Sequence, residues 1–404
     1  MKVSNEHVRI GNGTLINGDN LEVMKSFEEN YFDNCISDFP YDLGFMGKKW
    51  DTYSNFYNWC NERAVELYRI VKNGGYVMIF GHHKTNHRMK CAFEDAGFKI
   101  VEEIDWVYAS GFPKNQDISK MFDRKAGVER VGTGQFKERH GGGVGKSDKI
   151  SQLNPDWKRT EITLPTTDLA KQWSGWKTSG LKPAKEIITV FQKPLEGKYI
   201  DNIEKYGCGA MNIDGCRVPI SQEDLEMLNA KASKNPTTNY GDSETRIYGK
   251  YAEDKAMPPN ELGRFPSNVI FDSYMGGELS HQSGAEKIAG ENIYGVNRYY
   301  LNIENEFLPF MYCPKPTKKE KGEDCNHVTV KPKKLIKWLI KLVTPINGRS
   351  LDITAGSGTH GLCCEQLNKE EGYNIEWVDI EMMNTDKEPY YNIAKQRIKS
   401  TYKN

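Results

Sequence analysis

RSLDITAGSGTHG, residues 349 to 361, is the stretch that decides the fold. It joins a short apolar run to a G-x-G-x-x-G loop at positions 356 to 361 and to the start of a helical pattern. In a doubly wound α/β sheet, this order brings backbone N–H groups close to a ligand, because side chains at the glycine positions would block the approach. The next strand, IEWVDIE, ends in Asp379 and Glu381, where a carboxylate commonly binds ribose hydroxyls. The pattern predicts a nucleotide-type cofactor site, with a simple tight turn as the alternative.

The glycine loop lies late in the chain. A sheet that binds a cofactor at its first βα turn needs several further βα units, and only about one and a half fit before Asn404. The missing strands must come from residues 15 to 110, where β-like apolar runs alternate with helical stretches. The sequence therefore predicts an α/β protein with a circularly permuted, Rossmann-like sheet. This order differs from that of ordinary nicotinamide dehydrogenases, which carry the loop early.

Composition limits the class of protein. The 404 residues, 38% of them apolar, allow two or three domains, and no apolar run is long enough to suggest a membrane span. Nine cysteines without a C-x-x-C pair, and no apolar leader, favour a cytoplasmic protein with reduced thiols. No metal is expected, because no cysteine or acid completes a ligand set around His82, His83 and His87. Lysine and arginine balance the acidic residues at 55 each, so a nucleic-acid surface must be local.

The middle of the chain differs from both ends. From 114 to about 325 it is rich in Gly, Pro, Asn and Lys and has few long periodic segments. Between 110 and 190, fifteen Lys and Arg residues face nine Asp and Glu residues. We therefore expect residues 1–115 and 326–404 to form one domain, with residues 116–325 as an inserted region that contacts phosphates.

A second stretch, SDFPYDLGFMGKKWD at residues 37 to 51, places an acid, a proline and two aromatics at a strand end. Its D-F-P-Y core resembles the catalytic segment, usually written DPPY, of the DNA amino-methyltransferases that use S-adenosylmethionine. The order of catalytic segment, intervening region and cofactor loop is similar to the β arrangement of that family, in particular its phage and prophage members. The resemblance implies S-adenosylmethionine as the cofactor, double-stranded DNA as the partner and target recognition by residues 116–325. It implies no membrane, and a homodimer is an open possibility.

The resemblance also assigns roles to individual residues. It implies a catalytic segment made of Asp38, Phe39, Pro40 and Tyr41. It implies cofactor binding by Asp19, Lys331, Asp352, Thr354, Gly356, Gly358 and Glu381. Strand alignment favours Glu381 over Asp379 for the ribose, Asp19 is expected near the adenine, and Lys331 is expected near the cofactor carboxylate.

The chemistry follows from the residue types. An exocyclic amine is a poor nucleophile, because its lone pair is delocalised into the base. The Asp38 carboxylate and the backbone carbonyl of Phe39 can accept its N–H groups, which localises the lone pair and fixes the amine for in-line attack. Pro40 restricts the turn, and Tyr41 offers a face on which a base swung out of the duplex can stack.

Three positions depart from the family pattern, and several alternatives stay open. Phe39 replaces a proline, Thr354 replaces an aromatic and Val328 replaces another proline. An inactive DNA-binding relative is therefore one alternative, and a nicotinamide oxidoreductase is another. Adenine N6 is favoured as the target because the segment opens with Asp38, where cytosine-N4 enzymes more often carry Ser. Cytosine N4 remains the alternative, since both amines suit the same acceptors.

Overall fold

A computed structural model describes residues 6–44, 47, 49–108, 115–136, 161–219, 222, 225–226, 229, 261–271, 315–321, 325, 327 and 329–402. Its strands are β1 Glu6–Ile10, β2 Gly13–Asn17, β3 Phe32–Asp38, β4 Val71–Gly81, β5 Lys99–Val107, β6 Val131–Phe136, β7 Glu161–Leu164, β8 Lys185–Gln192, β9 Val269–Phe271, β10 Arg349–Asp352 and β11 Glu376–Glu381. Its α-helices are α1 Asn20–Met24, α2 Phe56–Ile70, α3 Asn86–Asp95, α4 Ile118–Ala126, α5 Asp168–Gln172, α6 Tyr199–Tyr206, α7 Lys318–Lys321, α8 Lys333–Val343, α9 Thr359–Glu371 and α10 Tyr390–Lys399. Short 3-10 segments span Lys49–Asp51, Asp214–Cys216 and Ser400–Tyr402.

The chain forms two compact units. The first contains Met1–Val107 and Glu186–Asn404, and the second contains Tyr108–Lys185. Within the second unit, β6 and β7 pair antiparallel, and α4 contacts α5. The buried carboxylate of Asp123 accepts hydrogen bonds from the backbone N–H and hydroxyl of Thr167 and from Arg130. One acid thus ties α4 to the start of α5.

The large sheet of the first unit confirms the predicted circular permutation. In the described part of the chain, its nine strands follow the order β1-β2-β11-β10-β3-β4-β8-β5-β9. The C-terminal strands β10 and β11 lie between the N-terminal strands β2 and β3 and are parallel to both. The strands on either side of the glycine loop, β10 and β11, therefore each pair with a strand from the other end of the chain.

Apolar patterning explains how the elements pack. β3 is buried over Phe32–Ser37, as expected of a central strand covered on both faces. The side chains of α2 and α3 pack with β3 and β4 in one buried cluster that includes Leu67, Phe93 and Val77. In α8, KKLIKWLIKLV, the leucines and isoleucines are buried, as helical spacing predicts. Among the residues that the structure describes, no helix is both long enough and apolar enough to cross a bilayer.

β8 shows that the inserted region does not all lie outside the large sheet. This strand carries the apolar run Ile187–Phe191 and pairs antiparallel with β4 over six positions. β9 pairs with β5 in the same sheet. The compact units therefore divide at residues 107/108 and 185/186, whereas the sequence suggested boundaries near 115 and 325. The assignment of residues 116–325 to DNA recognition stays a prediction.

Candidate active site

The predicted site residues lie along one edge of the large sheet. β2, β11, β10 and β3 are neighbours and run parallel, so their carboxyl ends lie at the same edge. Three of these ends carry acids, namely Asp38 on β3, Asp352 on β10 and Glu381 on β11. The fourth strand, β2, leads through Gly18 to Asp19.

A buried carboxylate holds the turn that follows β3. Asp51, which is 1% exposed, accepts hydrogen bonds from the backbone N–H groups of Tyr41 (2.7 Å), Asp42 (2.9 Å) and Leu43 (3.2 Å). Asp42 adopts a left-handed conformation with φ of 53°, which this set of bonds stabilises. The segment after Asp38 is therefore a constrained turn, because the Asp51 carboxylate accepts hydrogen bonds from its backbone N–H groups.

Phe39 anchors the same turn in the core. Its side chain is 2% exposed, and its ring lies edge-on to Trp59 at 5.2 Å and tilted against Phe93 at 6.0 Å. Aromatic pairs at these distances add to the free energy gained from burial. Packing thus restrains the position at which the family pattern has a proline. Val328, another departure from that pattern, lies outside the described residues.

Asp38 and three other side chains form a connected polar cluster. Lys331 Nζ lies 2.6 Å from Asp38 Oδ2 and 3.1 Å from Glu186 Oε2. The Tyr41 hydroxyl lies 3.2 Å from Asp38 Oδ1, 3.1 Å from Glu186 Oε2 and 3.2 Å from Lys331 Nζ. The side chain of Lys331 is 8% exposed and that of Asp38 is 22% exposed, so the carboxylate is the more accessible of the two.

The cluster sets the protonation states of its members. Burial raises the pKa of the Asp38 carboxyl, and Lys331 opposes this only in part. Burial would also raise the pKa of Glu186, but Lys331 and Lys315 hold it below its usual value. Burial acts to lower the pKa of Lys331, and Asp38 and Glu186 together hold it above its usual value. Burial and the two carboxylates raise the pKa of Tyr41 well above its usual value, so its hydroxyl stays protonated and donates.

The glycine loop has the geometry that the sequence predicts. Gly356 and Gly358 have positive φ values of 53° and 69°, and α9 begins directly after them. A Cβ on Gly356 would come within 2.7 Å of His327 Nε2, and one on Gly358 within 2.8 Å of the Ala394 Cβ. Both positions therefore require glycine for conformation and for space.

Hydrogen bonds join the loop strand directly to the acid strand. Thr354 donates from its hydroxyl to the backbone oxygen of Asp38 at 3.0 Å. Ser37 donates from its hydroxyl to Asp352 Oδ1 at 2.8 Å and accepts from the N–H of Ile353 at 2.9 Å. Asp352 Oδ1 also accepts from the N–H of Thr354 at 3.0 Å. The structure thereby brings the predicted catalytic segment next to the predicted cofactor loop.

Asp379 and Glu381 have different surroundings. Asp379 is fully buried and accepts hydrogen bonds from the N–H of Gly361 and from His360. Glu381, at the end of β11, accepts from the N–H of Gly356 through Oε2 and from the N–H of Met383 through Oε1, both at 2.7 Å. Its position at the strand end beside the loop matches the preference for Glu381 over Asp379 as the ribose ligand, which stays a prediction.

Asp19 lies at the neighbouring strand end. Its carboxylate caps α1 by accepting from the N–H of Leu21 at 2.9 Å, and its side chain is 34% exposed. The N–H of Gly18 donates to the backbone oxygen of Glu381 at 3.2 Å, so the ends of β2 and β11 are in contact. The capping role accounts for the acid structurally, and the predicted contact with adenine stays a prediction.

A buried group of possible metal ligands lies beneath the loop. Ligand atoms of Asp352, His360 and Asp379 all lie within 4.8 Å of one another. His360 is hydrogen-bonded on both ring nitrogens, at 2.7 Å to Asp379 and 2.8 Å to Ser350. Asp379 and Asp352 also accept from backbone N–H groups. These contacts describe a network that links β10, β11 and α9 without requiring an ion.

The second unit presents aromatic side chains to solvent. Trp173 and Trp176 are 36% and 61% exposed, and their rings meet edge-on at 5.1 Å. For each of these tryptophans the sequence favours a place in a small core over stacking on bases, and the exposure of Trp176 argues against a core role for that residue. Trp157 lies outside the described residues.

Sequence reasoning missed Glu186 as a site residue. The sequence placed this residue only within the inserted region of residues 116–325. β8 runs antiparallel to β4, with Gly81 opposite Ile187, so the start of β8 reaches the edge where the parallel strands end. An acid immediately before the buried run IITVF was the available signal. That signal needed the strand direction, which the sequence does not show.

Sequence comparison identifies related proteins. A family model described as DNA methylase, of the N6/N4 type, matches residues 32–396. The type II methyltransferase M.HindIII of Haemophilus influenzae is 22% identical over 237 residues, covering 49% of this chain and 64% of that protein. M.HpaI of Haemophilus parainfluenzae is 29% identical over 116 residues, covering 27% and 36% respectively. The chain therefore spans less than two thirds of the length of these relatives.

Two solved structures show more distant similarity. The PvuII DNA methyltransferase, titled cytosine-N4-specific, has a TM-score of 0.44 at 14% identity, over 96% of this chain and 86% of that one. The complex of M1.HpyAVI with SAM has a TM-score of 0.38 at 13% identity, over 95% and 98%. Both TM-scores lie below 0.5, a level at which a shared fold is not established.

Proposed function

The chain belongs to the N6/N4 DNA methylase family, and from this premise we propose that it transfers a methyl group from S-adenosylmethionine to an exocyclic amine of double-stranded DNA. The observation that carries the proposal is the hydrogen bond from the Thr354 hydroxyl to the backbone oxygen of Asp38. This bond joins the strand of the glycine loop to the strand of the acid turn. An electrophile held at the loop would thus lie beside an acceptor for an amine.

The described residues fit the proposed cofactor. The backbone at Gly356 and Gly358 leaves a space that side chains would fill, next to the first turn of α9. Glu381 uses one lone pair on each oxygen for a backbone N–H, which leaves lone pairs for ribose hydroxyls. Asp19 is available at the adjoining strand end for the adenine amine. The bound cofactor would supply a methyl group on a positively charged sulfur, which leaves as a neutral thioether.

Asp38 is the proposed acceptor for the amine. By accepting one N–H, its carboxylate localises the nitrogen lone pair, and it takes the proton that the nitrogen loses as the N–C bond forms. The backbone carbonyl of Phe39 is the proposed second acceptor. Asp51 and the buried ring of Phe39 keep the turn rigid, which favours a near-attack geometry over a mobile one.

Tyr41 is the proposed stacking surface for the target base. A base inside the duplex cannot present its amine to the partly buried Asp38 carboxylate, so it must first swing out of the stack. The hydroxyl of Tyr41 is tied to Asp38 and Glu186, which limits rotation of the ring. A restrained ring lowers the entropy lost on stacking.

Adenine N6 is the proposed target, and the inserted region is the proposed reader of the DNA sequence. The choice of adenine depends on Asp38 standing where cytosine-N4 enzymes more often have Ser. The proposal for the inserted region depends on the basic excess between residues 110 and 190 and on the exposed Trp176. Both assignments go beyond what family membership by itself establishes.

The decisive test is nucleoside mass spectrometry. Unmethylated bacterial genomic DNA is incubated with the protein and S-adenosylmethionine, digested and analysed. We expect N6-methyladenine with the unaltered protein and none with Asp38→Ala, because the variant has no carboxylate to accept the amine proton. Loss of the modification should be at least about a hundredfold, the usual range for a group that transfers a proton in the transition state.

Glu22→Ala is the matched control. Glu22 is an exposed carboxylate on α1 whose partner is Lys25, so its loss should leave methylation unchanged. S-adenosylmethionine, but not NAD, should protect the protein against thermal unfolding. This protection should persist in Asp38→Ala. N4-methylcytosine would move the assignment to cytosine. An active Asp38→Ala protein would refute the mechanism, and binding of DNA and cofactor without any methylated base would identify an inactive relative.

A further inference from the structure

We propose that Glu186 is a positioning residue of the transfer reaction, which accepts the hydrogen bond of Tyr41, shares the charge of Lys331 with Asp38 and leaves Asp38 Oδ1 free to receive the DNA amine. This inference rests on the proposed function and adds a residue to it. Glu186 belongs to neither the acid turn nor the glycine loop. It lies on β8, the strand next to β4 in the sheet and antiparallel to it.

The strand geometry fixes Glu186 at the site edge. β8 is paired with β4 from Tyr76 opposite Gln192 to Gly81 opposite Ile187, and Glu186 directly precedes that ladder. Ile187–Phe191 is buried, so β8 cannot slide without exposing its apolar face. The Glu186 side chain is 13% exposed and lies within hydrogen-bond distance of both Lys331 and Tyr41.

Counting donors and acceptors explains why a second carboxylate matters. The Tyr41 hydroxyl has one proton and two carboxylate oxygens within reach, Glu186 Oε2 at 3.1 Å and Asp38 Oδ1 at 3.2 Å. If Glu186 accepts that proton, a lone pair of Asp38 Oδ1 remains available to an amine N–H. Without Glu186, Tyr41 donates to Asp38 alone and competes with the substrate.

The charges of Lys331 and Glu186 also favour Asp38 as the acceptor of the amine proton. Lys331 is 2.6 Å from Asp38 and 3.1 Å from Glu186, so its single positive charge is divided between two carboxylates. Glu186 raises the pKa of Asp38, whereas Lys331 lowers it. A carboxylate with a higher pKa is a stronger acceptor for the amine N–H and for the departing proton. Lys331 would keep Asp38 ionised, and Glu186 would keep it basic.

Lys315 and His82 also lie near the cluster. In the described part of the chain, Lys315 Nζ lies 3.9 Å from Glu186 Oε1, and the His82 ring lies 5.7 Å from the ring of Tyr41. Lys331, and more weakly Lys315, hold the pKa of Glu186 below its usual value, as the inference requires. His82 contacts Tyr41 through its ring, while the hydroxyl of Tyr41 lies towards the two acids.

The test compares Glu186→Gln, Glu186→Asp and Lys331→Met with the unaltered protein in single-turnover methylation of the genomic DNA across a range of pH. For Glu186→Gln we expect the rate to fall about tenfold, the equivalent of one pKa unit of interaction. The KM for DNA and the affinity for S-adenosylmethionine should change less than the rate. Glu186→Asp keeps the charge with a shorter reach and should recover part of the rate.

The acidic limb of the profile of methylation rate against pH distinguishes a positioning role of Glu186 from a purely structural one. The rate falls when Asp38 becomes protonated, so removing Glu186 should move this limb to lower pH. Lys331→Met removes the opposite influence and should move it to higher pH. Glu376→Gln is the control, since Glu376 pairs with Arg349 where β10 and β11 begin, at the opposite edge of the sheet.

Each outcome has a distinct meaning. An unaltered protein that methylates no base refutes the proposed function and this inference with it. An active unaltered protein together with a Glu186→Gln variant of equal rate and unshifted limb refutes the inference alone. A variant whose thermal unfolding temperature and DNA affinity fall while the limb stays in place shows that Glu186 is structural, which also overturns it.

Discussion

Burial at the sheet edge changes the acid–base behaviour of single carboxylates. Glu381 is 7% exposed, and burial raises its pKa to about 8. Burial, with Asp379 nearby, raises the pKa of Asp352 to about 7. Near neutral pH Glu381 therefore carries a proton that it would release in an unfolded chain. Ionisation of both carboxylates opposes folding instead of supporting it.

Glu381 leads to a prediction for stability against pH. A group with a raised folded pKa contributes most below its unfolded pKa, and the contribution is lost as the pH rises to the folded value. For Glu381 the free energy of unfolding should decline from near pH 4.5 to near pH 8, and then level off. Glu381→Gln should flatten this decline, measured by urea unfolding at several pH values.

The control for that measurement lies on the same strand. Glu376 begins β11, and its side chain is 46% exposed, so Glu376→Gln should leave the slope of stability against pH unchanged. The comparison uses slopes, because either substitution can shift absolute stability through lost hydrogen bonds. A Glu381→Gln protein with the full decline would show that the Glu381 proton is not held by the fold.

The surroundings of single residues also explain two departures from the family pattern. Phe39 replaces the stiffness of a proline with a ring buried against Trp59 and Phe93. Thr354 replaces an apolar surface with a hydroxyl that bonds to the backbone of Asp38. Both residues constrain the acid turn, so neither departure by itself marks the protein as inactive.

At the scale of elements, the glycine loop shows the strongest dependence of local geometry on residue type. The loop leaves β10, turns at two positive φ values and enters α9 beneath His327 and Ala394. Glycine is therefore required at these positions for two separate reasons, a left-handed backbone conformation and close packing. The two reasons can be separated by comparing glycines to which only one of them applies.

Gly356→Ala and Gly372→Ala make that comparison. Both glycines have positive φ, but a Cβ at Gly372 would meet nothing within 4 Å, whereas one at Gly356 would meet His327. We expect Gly372→Ala to cost about 1–2 kcal/mol from backbone strain alone. Gly356→Ala should cost more and should abolish thermal protection by S-adenosylmethionine.

The readouts are urea unfolding and cofactor-dependent thermal shift. Protection should survive in Gly372→Ala, because that glycine ends α9 far along the helix from the loop. Equal losses of stability and unchanged cofactor protection in the two variants would show that the space above Gly356 is irrelevant to binding.

At the scale of the whole molecule, the site depends on distant parts of the chain. Asp38 and Asp51 come from the first fifty or so residues, Glu186 from the start of β8, and the glycine loop from the last sixty or so. The second unit, Tyr108–Lys185, is a separate compact body that exposes the ring of Trp176. Division of labour between chemistry and DNA recognition fits this organisation.

Trp176 gives the corresponding prediction. Stacking of a base on an exposed aromatic contributes about 1–3 kcal/mol, so Trp176→Ala should weaken DNA binding about tenfold without changing the thermal unfolding temperature. Ile346→Ala is the control, since Ile346 is 66% exposed and lies in the first unit, outside the inserted region. Fluorescence anisotropy with labelled duplex DNA at two salt concentrations measures the DNA affinity of both variants. Equal affinities for the two variants would exclude Trp176 from the interface.

Local pattern in the sequence was sufficient for much of the fold. Alternating apolar runs and helical spacing predicted the strands β2, β3, β4, β5, β10 and β11 and the helices α2, α3, α8, α9 and α10, because these elements bury their own apolar faces. The late glycine loop predicted the circular permutation, since a lone βα unit at the end of the chain must find its neighbours elsewhere. The acid turn and the loop were likewise recognisable as short contiguous segments.

Only the tertiary structure decided which distant side chains meet. The direction of β8 brings Glu186 to Lys331 and Tyr41, and a hydrogen bond between sheet neighbours brings Thr354 to Asp38. Such contacts depend on strand order and register, which arise from non-local pairing and leave no mark in the spacing of residues along the chain. The sequence by itself determined the elements and the chemistry that each can offer, and the folded sheet determined how those chemistries combine.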